Sequence, residues 1–200
     1  MTSLFSSFDI AAPPKTKKNV TARSKEKFDV RLGERYQTVS QAIGPLQMGK
    51  SIHFASMGEW SNHELLQHIL DQTGPAELFF STWSVSEDAI RQIIKNFTDG
   101  LITALTCVLD WRVKVRRPKV LQLMNFNFSK MRLTSCHAKV FVVSNKNWQI
   151  AVLGSANFTN NPRIEAGVIS CDPVAAEFHK NWIKKEYEKA DPFNERNRKC

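Results

Sequence analysis

Between Ser51 and Val108 the chain alternates in a way that few architectures accommodate. Ser51-Ile52-His53-Phe54-Ala55-Ser56 reads as a short strand. Ser61 with Glu64 is a capping-box signature, and Leu65, Leu66, Ile69 and Leu70 follow at helical spacing. Thr73-Gly74-Pro75 stops that helix. Glu77 to Trp83 reads as a second strand, and Ser86 caps a second helix in which Ile90, Ile93, Ile94 and Phe97 make one apolar face. Gly100 closes it, and Leu101 to Val108 is a third strand. A β-α-β-α-β order joins strands of like direction through covering helices, so the expected fold class is α/β, with a mixed, largely parallel sheet flanked by helices.

The second half is richer in strands. Val140 to Val143 and Gln149 to Leu153 are short apolar runs, with Ser144 to Trp148 as the turn between them, which predicts a hairpin. Ala166 to Ser170 is another strand. Residues 173–190 read as a closing helix, with Val174, Phe178, Trp182 and Ile183 apolar and Lys180, Lys184, Lys185 and Lys189 exposed. No internal repeat is present at a period of about 20 to 50 residues.

Residues 1–30 read as a basic, disordered tail and residues 31–200 as the folded domain. Pro13 and Pro14 precede Lys15, Lys17, Lys18, Arg23, Lys25 and Lys27, and too few periodic apolar residues are present to offset ordering entropy. Asn19-Val20-Thr21 fits a glycosylation sequon, but nothing before it reads as a secretory signal. No window approaches the roughly 18 apolar residues of a membrane span. The expected compartment is cytoplasmic. Cys107, Cys136, Cys171 and Cys200 are too scattered for a zinc knuckle or a redox pair and read as reduced thiols. The 28 lysines and arginines against 19 acidic residues leave a net charge of +9, which suits either solubility or a polyanion.

The chemistry gathers in the hairpin region. On a strand from residue 137 to 143, His137 and Lys139 share a face, while Ala138, Val140 and Val142 point to the other. The partner strand runs into Gly154-Ser155-Ala156-Asn157, at the same end of the sheet, and Glu165 follows just before the next strand. Gly154 permits close backbone approach. Lys139, Ser155 and Asn157 supply donors suited to phosphate oxygens, and a carboxylate such as Glu165 can hold an imidazole in one tautomer. That set fits phosphoryl transfer through a histidine nucleophile, although a His beside a Lys is also ordinary surface decoration.

His137-x-Lys139, an apolar strand, a turn, Gly154-Ser155-x-Asn157 and a later Glu165 resemble the phospholipase D superfamily signature, H-x-K-x4-D followed by G-S-x-N. The resemblance spans roughly residues 45 to 190 and implies a phospholipase D-like fold with one motif copy per chain. It also implies roles. His137 attacks phosphorus and forms a phosphohistidine; Lys139 and Asn157 bind non-bridging oxygens; Ser155 supports the phosphate pocket or the histidine; Glu165 orients an imidazole. No metal and no cofactor is expected in that chemistry. Ser144 stands where the signature has aspartate, a residue that the superfamily uses chiefly to support the turn.

The superfamily mechanism uses two histidines, and this chain has one His-x-Lys. His53, His63, His68 and His179 lack the pattern and read as structural or exposed. Small single-motif members meet the need by pairing two copies across a two-fold axis, so a homodimer with a composite site is expected. The leading function is a nuclease cleaving DNA or RNA, similar to the small bacterial endonucleases of the superfamily. A basic stripe supports a nucleic-acid partner: Arg112, Lys114 and Arg116, alternating along an apparent strand, with Lys130 and Arg132 flanking the approach to His137. That stripe equally suits a solvated face, and Trp83 and Trp111 suit either the core or base stacking. The alternatives are a phospholipase or phosphatidyltransferase acting on lipid phosphodiesters, and a non-catalytic nucleic-acid-binding module.

Overall fold

The computed structural model describes residues 27–34, 37–160 and 162–189. They form one eight-stranded sheet in the order β1-β2-β8-β7-β6-β3-β4-β5. The chain runs β1 (Lys27–Leu32), α1 (Val39–Ile43), β2 (Lys50–Ala55), α2 (Asn62–Thr73), β3 (Ala76–Thr82), α3 (Glu87–Thr98) and β4 (Ile102–Asp110). It continues through α4 (Val113–Arg116), α5 (Pro118–Asn127), β5 (Met131–Thr134), β6 (Val140–Ser144), β7 (Gln149–Gly154), β8 (Ala166–Ser170) and α6 (Pro173–Lys189).

The pairings set the strand directions. β1 runs parallel to β2, and β3, β4 and β5 are mutually parallel. The four pairings across the middle of the sheet, from β2 through β8, β7 and β6 to β3, are antiparallel. Only β6 and β8 therefore run against the others. The ends where β1, β2, β3, β4, β5 and β7 finish are also where β6 and β8 begin.

Period-two alternation divides the sheet into two packed faces. Leu78, Phe80, Leu105, Cys107, Phe141, Val143, Ile150, Val152 and Ile169 point one way and bury against α1, α2, α3 and α5. Phe79, Val108, Val140, Val142 and Ala151 point the other way, against Ala176 and Ile183 of α6. Fully buried side chains such as Leu65, Leu66 and Ile69 each contribute about 1.5–3 kcal/mol. The α2 capping box forms as expected: Ser61 accepts from the Glu64 amide, and Glu64 accepts from the Ser61 amide.

Four local expectations need correction. Arg112 caps, and Val113–Arg116 form, the short helix α4 rather than a strand, because Asp110 accepts the Arg112 amide and turns the chain as β4 ends, and Pro118 then opens α5 as its first helical residue. His137 and Lys139 lie just ahead of β6 rather than within it. The inward face of α6 holds Ala176 and Ile183 with the stem of Lys180, whereas Val174 and Phe178 are exposed. The expected tail lies outside the described residues except for Lys27–Val30, which belong to β1. Phe28, Val30 and Leu32 in that strand are 63–70% exposed, so backbone pairing to β2 holds it, and apolar burial gave no cue to it.

Candidate active site

Every residue of the expected catalytic set lies at the sheet end where β7 finishes and β6 and β8 begin. His137 and Lys139 precede β6, Ser155 and Asn157 follow β7, and Glu165 precedes β8. In open α/β sheets the carboxyl ends of the like-directed strands are where ligands bind. Trp83 after β3 and Trp111 after β4 join the same end.

The loop carrying His137 is fastened on several sides. Asp110, the last residue of β4, is fully buried and accepts the Cys136 amide at 3.3 Å. The same carboxylate accepts two guanidinium donors of Arg112, at 2.7 and 3.2 Å. Ser81 Oγ lies 2.9 Å from Cys136 Sγ and donates to the Ala138 carbonyl at 3.4 Å. The Gly154 amide donates to the Lys139 carbonyl at 3.2 Å, which carries the β6–β7 ladder one step beyond β6. The exposed imidazole of His137 meets the Trp83 ring with centroids 5.5 Å apart and planes at 59°. Lys139 Nζ donates to the His137 carbonyl at 3.0 Å. Partial burial lowers the Lys139 pKa from its ordinary value, against the opposing pull of Glu165 and Cys136. The ammonium is thus short of solvation in a site that would welcome an anion.

The opposite lip is a second fastened loop. Gly154 is required there, since a Cβ would stand 2.9 Å from the Ala166 carbonyl oxygen. Ser155 donates its hydroxyl to the Glu165 carboxylate and receives the Ala166 amide at 3.1 Å. The Asn157 side-chain carbonyl accepts from Thr82 Oγ1 at 3.3 Å. Asn62, at the start of α2, donates to the Ala156 carbonyl at 2.7 Å. Phe158 anchors the loop in the core, against Phe80 and Phe141.

The basic residues divide. Arg112 and Arg116 reach this end: their guanidinium carbons lie 5.6 and 4.3 Å from the centroid of the Trp83 ring. Lys114 is on the same helical turn, two residues from each and so on a different side. Lys130 and Arg132 do not flank His137. Lys130 precedes β5 at the far end of the sheet, and Arg132 lies over Tyr187 of α6 at 4.5 Å. Asp110 and Asn62 were not legible as site supports, because each acts through a backbone group brought close only by the fold. A buried aspartate at a strand end, two residues before an arginine, is the sole sequence cue.

Ser144 also finds its place. It is the last residue of β6, at the end of the sheet opposite His137, and about 13 Å along the strand from Val140. Its hydroxyl donates to Gln149 Oε1 at 2.8 Å and accepts from Lys180 Nζ at 3.4 Å. Whatever stands at this position touches the closing turn and α6, not a ligand at the His137 end. Among the described residues no three His, Cys, Asp or Glu side chains gather as a metal-ligand set. No helix among them is long and apolar enough to cross a membrane.

No family profile matches the sequence, and no curated protein sequence matches it. Solved structures do. A phospholipase D family member, Nuc from Salmonella typhimurium, superposes with a TM-score of 0.54 at 20% identity, covering 72% of this chain and 97% of its own. NucT from Helicobacter pylori gives 0.57 at 18% identity, with 72% and 99% covered. TrmBL2, an archaeal chromatin protein with a novel mode of DNA binding, gives 0.51 at 11% identity, with 74% and 55% covered. The chain therefore has a phospholipase D-like fold.

Proposed function

We propose that the protein is a metal-independent phosphodiesterase that cleaves nucleic acid through a phosphohistidine. The observation carrying this reading is the convergence of His137, Lys139, Ser155, Asn157 and Glu165 on one end of a phospholipase D-like sheet. The net charge of +9 and a DNA-binding protein among the fold neighbours favour a polyanionic polynucleotide over a lipid phosphodiester that carries a single negative charge.

In the reaction an imidazole nitrogen of His137 attacks phosphorus. A P–N bond forms as the P–O bond to the leaving strand breaks. Lys139 and Asn157 donate to the non-bridging oxygens, whose charge rises in the transition state. A second imidazolium gives its proton to the leaving oxygen. It then takes a proton from water, whose oxygen attacks phosphorus and breaks the P–N bond. That second imidazole is the partner's His137, brought in by a two-fold dimer. Ser155 holds Glu165, and Glu165 orients an imidazole of the composite site.

The test uses plasmid DNA and RNA in excess EDTA at low salt, with wild-type protein beside His137→Ala. Cleavage by wild type alone, from a species of twice the chain mass, is expected. Turnover of neither polymer by folded, dimeric wild type would overturn the reading, as would cleavage of phospholipid vesicles alone.

A further inference from the structure

We propose that Trp111, Arg112, Trp83 and Arg116 form a stacking track that delivers an unpaired nucleic-acid strand to His137. The inference rests on the nucleic-acid phosphodiesterase reading and deepens it by naming the substrate form.

The track follows from the fold. β3 and β4 run side by side with Thr82 opposite Leu109, so the residues just past their ends, Trp83 and Trp111, emerge together. The first turn of α4 then sets Arg112 and Arg116 one turn apart on the same side. The guanidinium of Arg112 lies over both indoles, 5.8 Å from the Trp111 centroid and 5.6 Å from that of Trp83. Arg116 covers Trp83 at 4.3 Å, and Trp83 meets the His137 ring at 5.5 Å. Aromatic ring and cation thus alternate from the rim to the nucleophile. Asp110 fixes the Arg112 end of the ladder through two hydrogen bonds.

Trp111 is 47% exposed and Arg116 is exposed, so the outer members present a ring and a cation to solvent. A large aromatic ring half in water, beside a cation and leading to a nucleophile, is poor packing but a good base platform. Bases within a duplex stack on one another and offer only edges. An unpaired base offers its π-face to Trp111, while the flanking phosphates meet Arg112 and Arg116. The same chemistry does not suit a diacyl lipid, whose headgroup has no flat face to stack.

The test measures binding by fluorescence anisotropy in the His137→Ala background, so that the probe stays intact. The probes are a labelled oligothymidylate and a duplex of equal length. The parent is expected to prefer the single strand. Trp111→Ala should weaken single-strand binding about tenfold while leaving duplex binding within about twofold, and Trp111→Phe should restore the preference. Arg116→Ala, at an exposed position, should weaken both probes and reduce the salt dependence. Melting followed by circular dichroism checks that each variant is folded. Equal loss on both probes in Trp111→Ala, or no loss on either, would overturn the track. Hydrolysis of bis(p-nitrophenyl) phosphate by the His137-containing protein is scored separately. If it succeeds while the strand preference is absent, the track fails and the phosphodiesterase reading stands.

Discussion

The buried carboxylate of Asp110 holds the backbone of Cys136, and so aims the residue that follows it, His137. Asp110→Asn keeps the volume but gives up the charge that binds Arg112 and weakens the acceptor for the Cys136 amide. Leaving that amide poorly matched costs about 1–3 kcal/mol of stability. Turnover of bis(p-nitrophenyl) phosphate should fall at least tenfold with little change in KM, because the nucleophile is misplaced while the phosphate donors remain. Urea unfolding and steady-state kinetics on the same sample check both. A large KM effect with kcat unchanged would contradict a positioning role.

Gly154 lets two backbones close at the lip of the site. In Gly154→Ala the new methyl would meet the Ala166 carbonyl at 2.9 Å and force β7 from β8. The expected cost is about 1–3 kcal/mol, with loss of activity, because Ser155 directly follows β7 and Glu165 directly precedes β8, the two strands being pushed apart. Thermal melting and turnover should fall together. Wild-type stability in this variant would mean that the lip is looser than described.

Ser144 lies at the end of β6 away from His137. Ser144→Ala removes the hydroxyl that links Gln149 and Lys180, a loss of about 1 kcal/mol in denaturant unfolding. Turnover should stay within about twofold. A tenfold loss of rate in the folded variant would show that the far end of β6 couples to the site.

Acid should destabilise the protein through two histidines. Burial lowers the pKa of both His63 and His179 below the ordinary 6.5. In the folded state His179 is held neutral, with Nδ1 accepting the Trp182 indole N–H at 2.9 Å. Below about pH 6.5 the unfolded chain binds more protons than the folded one, so stability rises with pH in that range and falls on acidification. His179→Gln should flatten part of the slope between pH 7.5 and about 5. An unchanged slope would assign the acid sensitivity elsewhere.

How much of this could be read in the sequence depends on how local the cause is. The Ser61 cap, the α2 face and the β6–β7 hairpin declare themselves within a few residues, and the structure reproduces them; in α3 Ile90 and Ile93 turn inward as expected, but Phe97 is exposed and Asn96 is buried in its stead. The α4 turn did not declare itself. Arg112, Lys114 and Arg116 alternate like a strand, and only the Asp110 hydrogen bond to the Arg112 amide decides for helix. In α6 the hydropathy of Val174 and Phe178 misled, because the face that packs is chosen by the sheet beneath it, and the Lys180 ammonium lies over the Phe79 ring at 5.4 Å. The residues expected to form the site were named from type and order, and the structure gathers them at one sheet end. Their supports, Asp110 for one loop and Asn62 for the other, come from elements tens of residues away and become visible only in three dimensions.

The proposed reaction passes through a covalent bond between His137 and phosphorus, which can be trapped. Wild-type protein is mixed with a 5′-phosphorothiolate or radiolabelled oligonucleotide in EDTA, quenched in denaturant within the first turnover and resolved by mass. A nucleotide adduct is expected that mass spectrometry localises to His137, labile in acid and stable in base, and absent from His137→Ala. Cleavage that proceeds normally with no adduct, or with the adduct on another residue, would contradict that reaction.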